Sequence, residues 1–188
     1  IYNSLSVIGV MDFLGYNGET IKNGLEAVSV PGRFQSIPST LPFNVIVDYA
    51  HTDDALINVL NTLRDLNPKR IISVFGCGGD RETGKRYLMG EVSTKLADLT
   101  YIASDKPRTE DPERILDMLE EGAKRGGGKY VRITDRKSAI FTAINEAREG
   151  DIVLIAGKGH EDYQILKDKT IHFDDRETAA EALRNREK

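Results

Sequence analysis

Apolar residues along this chain fall into two patterns that alternate. Short, nearly unbroken runs such as Ile71-Ile72-Ser73-Val74-Phe75 and Ile152-Val153-Leu154-Ile155-Ala156 read as strands covered on both faces. Longer segments between them carry apolar residues at helical spacing. The runs predict strands at Asn44–Asp48, Arg70–Gly76, Leu99–Ser104, Tyr130–Thr134, Ile152–Gly157 and Thr170–Phe173. The spaced segments predict helices at Asp53–Asp65, Tyr87–Ala97, Pro112–Lys124, Arg136–Arg148 and Arg176–Arg186. Strand–helix alternation with right-handed crossovers gives an α/β class: a Rossmann-like open, mostly parallel sheet of about six strands with helices on both faces. The last strand, polar at both ends, reads as an antiparallel edge. Gly126-Gly127-Gly128 reads as a turn.

Residues 1–30 follow a different pattern. Asn3–Leu14 carries Leu5, Ile8, Val10, Met11 and Leu14 at helical spacing, and Gly15 stops it. Glu19–Val28 repeats the pattern with Ile21, Leu25 and Val28. Two short helices before Pro31-Gly32 predict the tail of a preceding domain and a hinge (1–30), with a second domain over 31–188. The chain opens Ile1-Tyr2-Asn3, with neither an initiator Met nor a basic signal-like region, and is expected to be a piece of something longer.

Composition narrows the class. Of 188 residues, 39% are hydrophobic and 30% charged, which fits a globular domain with one sizeable core and argues against disorder. With 26 basic and 30 acidic residues the net charge is −4, giving no electrostatic reason to bind nucleic acid or an anionic membrane. No apolar run approaches the ~20 residues of a membrane span. A single cysteine, Cys77, excludes an internal disulfide framework and suits a reducing compartment.

Ligands of open α/β sheets bind outside the carboxyl ends of the strands, so the loops there carry the candidate chemistry. After the first predicted strand comes Asp48-Tyr49-Ala50-His51-Thr52, in which Asp48 can accept from ribose hydroxyls, or Asp48 or Thr52 can cap the next helix. After the second, Gly79 to Lys85 nearly spells a P-loop, but Arg86 stands where a Mg²⁺-binding Ser or Thr is needed. What remains reads as a flexible loop whose Arg81, Lys85 and Arg86 suit a carboxylate or phosphate, or simply face solvent. The third loop, Ser104–Pro112, holds two prolines. Such a rigid loop can set Asp105 and Arg108 as a bracket for an ammonium and a carboxylate, unless the two pair with each other. The fourth, Gly157-Lys158-Gly159-His160-Glu161, permits close backbone approach. Its one His and few acids do not make a zinc site. No nucleophile–base arrangement is legible, and Cys77 reads as a small filler.

Together these stretches resemble the C-terminal domain of the Mur ligases. The resemblance lies in Val30-Pro31-Gly32-Arg33-Phe34, Asp48-Tyr49-Ala50-His51-Thr52, Phe75-Gly76-Cys77-Gly78-Gly79-Asp80-Arg81, Asp105-Lys106-Pro107-Arg108, Ala156-Gly157-Lys158-Gly159-His160-Glu161 and Phe173-Asp174-Asp175-Arg176-Glu177. They stand in family order, and residues 1–29 look like the last helices of the family's central ATPase domain. The resemblance implies a cytoplasmic, ATP-dependent, amide-bond-forming ligase of peptidoglycan synthesis. It implies addition of meso-diaminopimelate to the UDP-MurNAc-dipeptide (UDP-MurNAc-L-Ala-D-Glu) through an acyl phosphate. ATP and Mg²⁺ are the implied cofactors, with the P-loop, the Mg²⁺ ligands and the uridine diphosphate site on central and N-terminal domains outside this chain. No catalytic residue or metal ligand is expected here, and the fragment alone is expected to be inactive. By the family pattern Arg33, Asp48 and His51 face ATP. Arg81, Asp105, Lys106, Pro107, Arg108, Gly157 and Glu161 line the amino-acid pocket, with Arg108 on the distal carboxylate and Glu161 and the Gly157 carbonyl on the distal ammonium.

One departure matters. The family's diaminopimelate signature reads Asp-Asn-Pro-Arg, and Lys106 stands here in place of the Asn. A cation there adds to carboxylate binding or repels the ligand's ammonium. The alternatives are the same ligation with L-lysine, a polyglutamate- or cyanophycin-type ligase domain, and a nucleotide-binding module without catalysis. A hydride-transferring dehydrogenase is disfavoured by the absence of a glycine fingerprint.

Overall fold

The computed structural model describes residues 2–187, so Ile1 and Lys188 lie outside the description. The chain divides into two compact units, Ile1–Val30 and Pro31–Lys188. In the first, α1 (Tyr2–Phe13) and α2 (Gly18–Ala27) follow one another, and the Asn17 side chain caps α2 by accepting from the Thr20 amide. Ile21 is buried, whereas Leu5, Val7 and Val10 are exposed.

The second unit begins with β1 (Gln35–Ser36) and β2 (Asn44–Asp48). Then come α3 (Asp53–Asp65), β3 (Ile71–Phe75), α4 (Gly84–Leu96), β4 (Leu99–Ile102), α5 (Pro112–Gly126) and β5 (Tyr130–Arg132). The chain continues through α6 (Arg136–Glu146), β6 (Ile152–Ala156), β7 (Tyr163–Leu166), β8 (Lys169–His172) and α7 (Asp175–Arg186). The main sheet has the order β1-β2-β6-β3-β4-β5, parallel except for β1, which is antiparallel to β2. Side chains alternate across its strands. Val45, Val47, Ile72, Val74, Val153 and Ile155 pack under α6 and α7, while Ile46, Ile71, Phe75, Ile152 and Leu154 pack under α3, α4 and α5. Both faces are therefore covered, as the unbroken apolar runs require.

Two expectations need correction. The Thr170–Phe173 stretch is not an edge of the main sheet. It pairs as β8 with β7 in a separate two-stranded ribbon, and the antiparallel edge is β1. In addition, α4 begins at Gly84 rather than Tyr87, so Lys85 and Arg86 lie in a helical first turn and not in a mobile loop. Capping residues explain most other boundaries. Thr52, Asp111, Asp135 and Asp174 accept backbone amides at the starts of α3, α5, α6 and α7, and Gly127 ends α5 in the left-handed region.

Order places the site. Strand β6 is inserted between β2 and β3, with Asp48 opposite Ala156 and Val74 opposite Ile155. The loop after β6 thus emerges between those after β2 and β3. Beneath it, Arg136 and Asp175, both fully buried, form a two-pronged ion pair at 2.7 and 2.8 Å, and Arg136 also donates to the Ala156 carbonyl at 2.9 Å. Replacing Asp175 by Asn keeps the shape but leaves Arg136 an uncompensated buried charge. We expect urea denaturation of Asp175→Asn to show a loss of about 3–5 kcal/mol. A change within error would show that the pair contributes no net stability.

Candidate functional site

A cavity of about 360 Å³ opens at the carboxyl ends of β2, β3, β4 and β6. Among its lining residues are His51, Arg81, Asp105, Lys106, Arg108, Gly157 and Glu161. The loops after β3 and β4 are stapled together. The Gly79 amide donates to the Lys106 carbonyl at 2.8 Å, and Arg108 Nη1 donates to the Gly79 carbonyl at 2.6 Å. At Gly79 a Cβ would lie 1.9 Å from the Pro107 carbonyl oxygen, so only glycine admits this approach. Asp80 accepts from the Thr109 amide and hydroxyl, and its own amide donates to Glu110.

Arg86, in the near-P-loop stretch, is absent from the cavity lining. It is fully buried and forks onto both Glu110 oxygens at 2.8 Å, with a further bond to the Gly78 carbonyl. That pairing, rather than a Mg²⁺-binding hydroxyl, shapes the loop. Arg81 and Lys85 donate to the Asp80 and His51 carbonyls, and Arg108 to that of Gly79. Among the described residues none of the three makes a salt bridge. Arg108 is held with φ 53°, and its amide donates to Ile165 of β7. It does not pair with Asp105.

Asp105 is buried, and its Oδ1 has no hydrogen-bond partner among the described residues. Burial pushes its carboxyl up, against the pull of Arg136, Lys158 and Lys106. Lys158, fully buried with its Nζ 3.8 Å from Asp105 Oδ1, donates to the Tyr163 carbonyl, and burial pushes its ammonium down. Lys106 forms an ion pair with Glu161 and lies 5.3 Å from the centre of the Tyr163 ring. The Cys77 thiol lines the cavity too, yet burial pushes it up to about 12, so it is a thiol and not a nucleophile at neutral pH.

The residues read as facing ATP lie at the β2 side. His51 lines the cavity; Arg33 and Asp48 do not. Both Asp48 oxygens accept backbone amides, from Ala50 at 2.8 Å and Phe34 at 2.7 Å, which fastens the 31–34 turn to the end of β2. Helix α3 is capped by Thr52, not Asp48. Arg33 lies over the Tyr49 ring at 5.0 Å, and Tyr49 meets His51 edge-on at 4.6 Å and His160 at 5.3 Å. Pro107 is buried against Gly79 and is absent from the lining. Sequence reasoning missed Tyr49, Tyr163 and the buried charge of Lys158. Tyr163 escaped notice because Lys167-Asp168 joins β7 to β8 without a Gly or Asn turn signal. Among the described residues no three His, Cys, Asp or Glu side chains converge as a metal-holding group. No helix among them is long and apolar enough to cross a membrane.

The fold and the cavity define an α/β domain with a polar, charged cleft at the carboxyl ends of its parallel strands. Residues 32–159 match the family model described as the Mur ligase, glutamate ligase domain, and the chain belongs to that family. The chain is 49% identical over 185 residues to the UDP-N-acetylmuramoyl-L-alanyl-D-glutamate–2,6-diaminopimelate ligase of Solibacter usitatus, covering 98% of this chain and 37% of that one. It is 50% identical to the Clostridium botulinum ligase of the same name, over 98% of this chain and 38% of the relative. A solved structure of a ligase of that name superposes with a TM-score of 0.79 at 38% identity, over 95% of this chain and 37% of the other. A UDP-N-acetylmuramate–alanine ligase from Thermotoga maritima, at 20% identity and TM-score 0.70, shares the fold. The chain therefore spans less than two-fifths of the length of these relatives.

The Arg86–Glu110 pair holds the Glu110 carboxyl at about 2, below its ordinary 4.5, through the guanidinium's hydrogen bonds. A carboxyl depressed in the fold contributes stability above the unfolded value and loses it as pH falls toward the folded one. Followed by NMR, the Asp80 amide resonance should titrate with a midpoint near 2. A midpoint near 4.5 would show that the pair does not hold the loop.

Proposed function

We propose that this chain is the C-terminal part of a longer ATP-dependent ligase. The enzyme joins meso-diaminopimelate to UDP-MurNAc-L-Ala-D-Glu. The observation that carries this reading is the cavity itself, in which a guanidinium (Arg108), two acids (Asp105 and Glu161) and the Gly157 loop meet at the strand ends. The names borne by relatives near 50% identity support the choice of reaction. Residues 1–30 would be the tail of the preceding ATPase domain and the hinge that follows it.

In this reading the substrate carboxylate attacks the γ-phosphorus of ATP and ADP leaves. The amine then attacks the acyl carbon of the resulting acyl phosphate and inorganic phosphate leaves. This chain supplies binding and orientation. The Mg²⁺ ligands belong, in this reading, to the rest of the longer protein. Arg108, already oriented by its bond to Gly79, keeps donors for two-pronged contact with a distal carboxylate. Asp105, whose Oδ1 faces the Lys158 ammonium at 3.8 Å, adds a buried acid behind that guanidinium. Arg33, Tyr49, His51 and His160 form a cluster of flat groups that suits ATP at the β2 side, with Lys85 beside it. Asp48 adds to that side through the turn it fastens. Because these groups bind and do not react, the 188-residue chain alone should show no ATP-dependent ligation.

Two measurements on the full-length enzyme test the reading. Arg108→Ala should cut kcat/KM for diaminopimelate by about 2–4 kcal/mol, the cost of leaving one partner of a charged pair unmatched, and affect poor substrates such as L-lysine much less. An equal loss for both amino acids would assign Arg108 to loop structure. Arg33→Ala should raise the KM for ATP about tenfold, the worth of one charge-assisted bond, while leaving the KM for diaminopimelate unchanged. The reverse pattern would remove Arg33 from the nucleotide side.

A further inference from the structure

Among the described residues four that are not glycine occupy the left-handed region, and two of them meet where the loops after β3 and β4 join. Asp80 and Arg108 each stand at φ 53°. Aspartate tolerates that region because its short side chain bonds locally, whereas arginine stays there only when its surroundings hold it. Three sets of bonds do so. The Arg108 amide donates to the Ile165 carbonyl at 3.1 Å, and its Nη1 donates to the Gly79 carbonyl at 2.6 Å. The third set comes from Asp80. One of its oxygens accepts the Thr109 amide at 3.2 Å and the other the Thr109 hydroxyl at 2.7 Å. The residue directly after Arg108 is thereby gripped at two points. The Glu110 amide closes the turn onto the Pro107 carbonyl at 3.1 Å, and the Glu110 carboxylate takes the Asp80 amide. Arg108 lines the cavity and Asp80 does not.

We propose that Asp80 is a positioning residue that acts through Arg108. By gripping Thr109 it keeps the arginine in the backbone conformation that turns its guanidinium into the cavity. The inference rests on the ligase reading above, in which Arg108 takes the ligand's distal carboxylate, and it adds a residue that touches no ligand. Without the Asp80 carboxylate the 107–110 turn relaxes toward ordinary backbone, and only a fraction of molecules present Arg108 correctly. Apparent affinity for the amino acid falls by that fraction. The distal carboxylate does not react, so its contact is the same in ground and transition states. The loss therefore falls on KM and not on kcat.

A double-mutant cycle in the full-length enzyme tests this. Asp80→Gly removes the carboxylate and leaves a residue at ease in the left-handed region. It should raise the KM for meso-diaminopimelate about tenfold, one bond to a charged group, with kcat and the KM for ATP unchanged. Asp80→Asn keeps an acceptor oxygen for Thr109 and should stay within about threefold of the wild type. In an Arg108→Ala background, Asp80→Gly should lower kcat/KM by less than about twofold, because the group it positions is gone. An aspartate that serves only loop structure would cost the same in both backgrounds, and that result overturns the proposal. So does an unchanged KM in Asp80→Gly, a loss that falls on kcat, or an Asp80→Asn enzyme as impaired as Asp80→Gly. Should Asp80→Gly fail to fold, Thr109→Val, which removes only the hydroxyl donor, decides in the same two backgrounds. A loss seen only where Arg108 is present supports the proposal, and equal losses or none overturn it. Equal loss of diaminopimelate and L-lysine use in Arg108→Ala alone would remove the ligase reading of Arg108, and this inference with it. An additive cycle beside a selective Arg108→Ala loss overturns this inference alone.

Discussion

The ion pair between Arg136 and Asp175 is the constraint on which the site depends. Both side chains are fully buried, at the first residues of α6 and α7, and the guanidinium also holds the last carbonyl of β6. Two helix starts and one strand end are thereby fixed to one another below the Gly157 loop. Burying such a pair carries a large desolvation cost, so its net contribution to stability is smaller than its geometry suggests. Its structural effect is larger. It sets where β6 stops, and β6 is the strand inserted between β2 and β3. Lys158, the second residue after that strand, and Asp105, in the loop after β4, share the same buried electrostatic surroundings. The buried Arg136–Asp175 pair thus acts electrostatically on both Asp105 and Lys158.

A second pair organises the rim. Arg86 and Glu110 join the start of α4 to the loop before α5, and the bonds between residues 78–80 and 106–109 run alongside. Sequence spacing placed Arg86 where a P-loop carries its metal-binding hydroxyl. The structure shows why the position is basic: it neutralises an acid of the neighbouring loop. A glycine-rich loop cradles phosphate when its amides are free. Here the Gly79 and Asp80 amides are spent on the Lys106 carbonyl and on Glu110, and the loop presents side-chain cations instead.

Much of the fold was legible because parallel strands buried on both faces leave unbroken apolar runs, and because Thr52, Asp111, Asp135 and Asp174 mark helix starts. Asp53–Asp65 and Asn44–Asp48 emerge with the bounds their pattern predicts. What failed was short or non-local. Gln35–Ser36 is too brief for any periodicity, and the Lys167-Asp168 turn of the β7–β8 ribbon has no Gly or Asn to announce it. Of the candidate site residues, the polar ones on the strand-end loops gather at the cavity because strand ends converge there. Pro107 and Asp48 differ for a physical reason. A proline has only a carbonyl to offer, and here it faces Gly79, while Asp48 spends both oxygens on amides of its own loops. Neither use leaves a sign in sequence spacing.

Electrostatic accounting separates recognition from chemistry in this domain. A nucleophile would have to be deprotonated, and the one cysteine at the cavity is held as a thiol by burial. A general base would need an accessible acid or imidazole poised near neutrality. Asp105 is enclosed by cations, Glu161 is paired with Lys106, and His51 is bonded to the Tyr49 carbonyl. What is left uncommitted is positive: three cations whose only partners are backbone carbonyls. Such groups suit carboxylates and phosphates, and the two arginines among them cannot give up a proton in a protein. The free charge at these strand ends is therefore positive, set by pairing inside the domain rather than by the chain's net charge of −4.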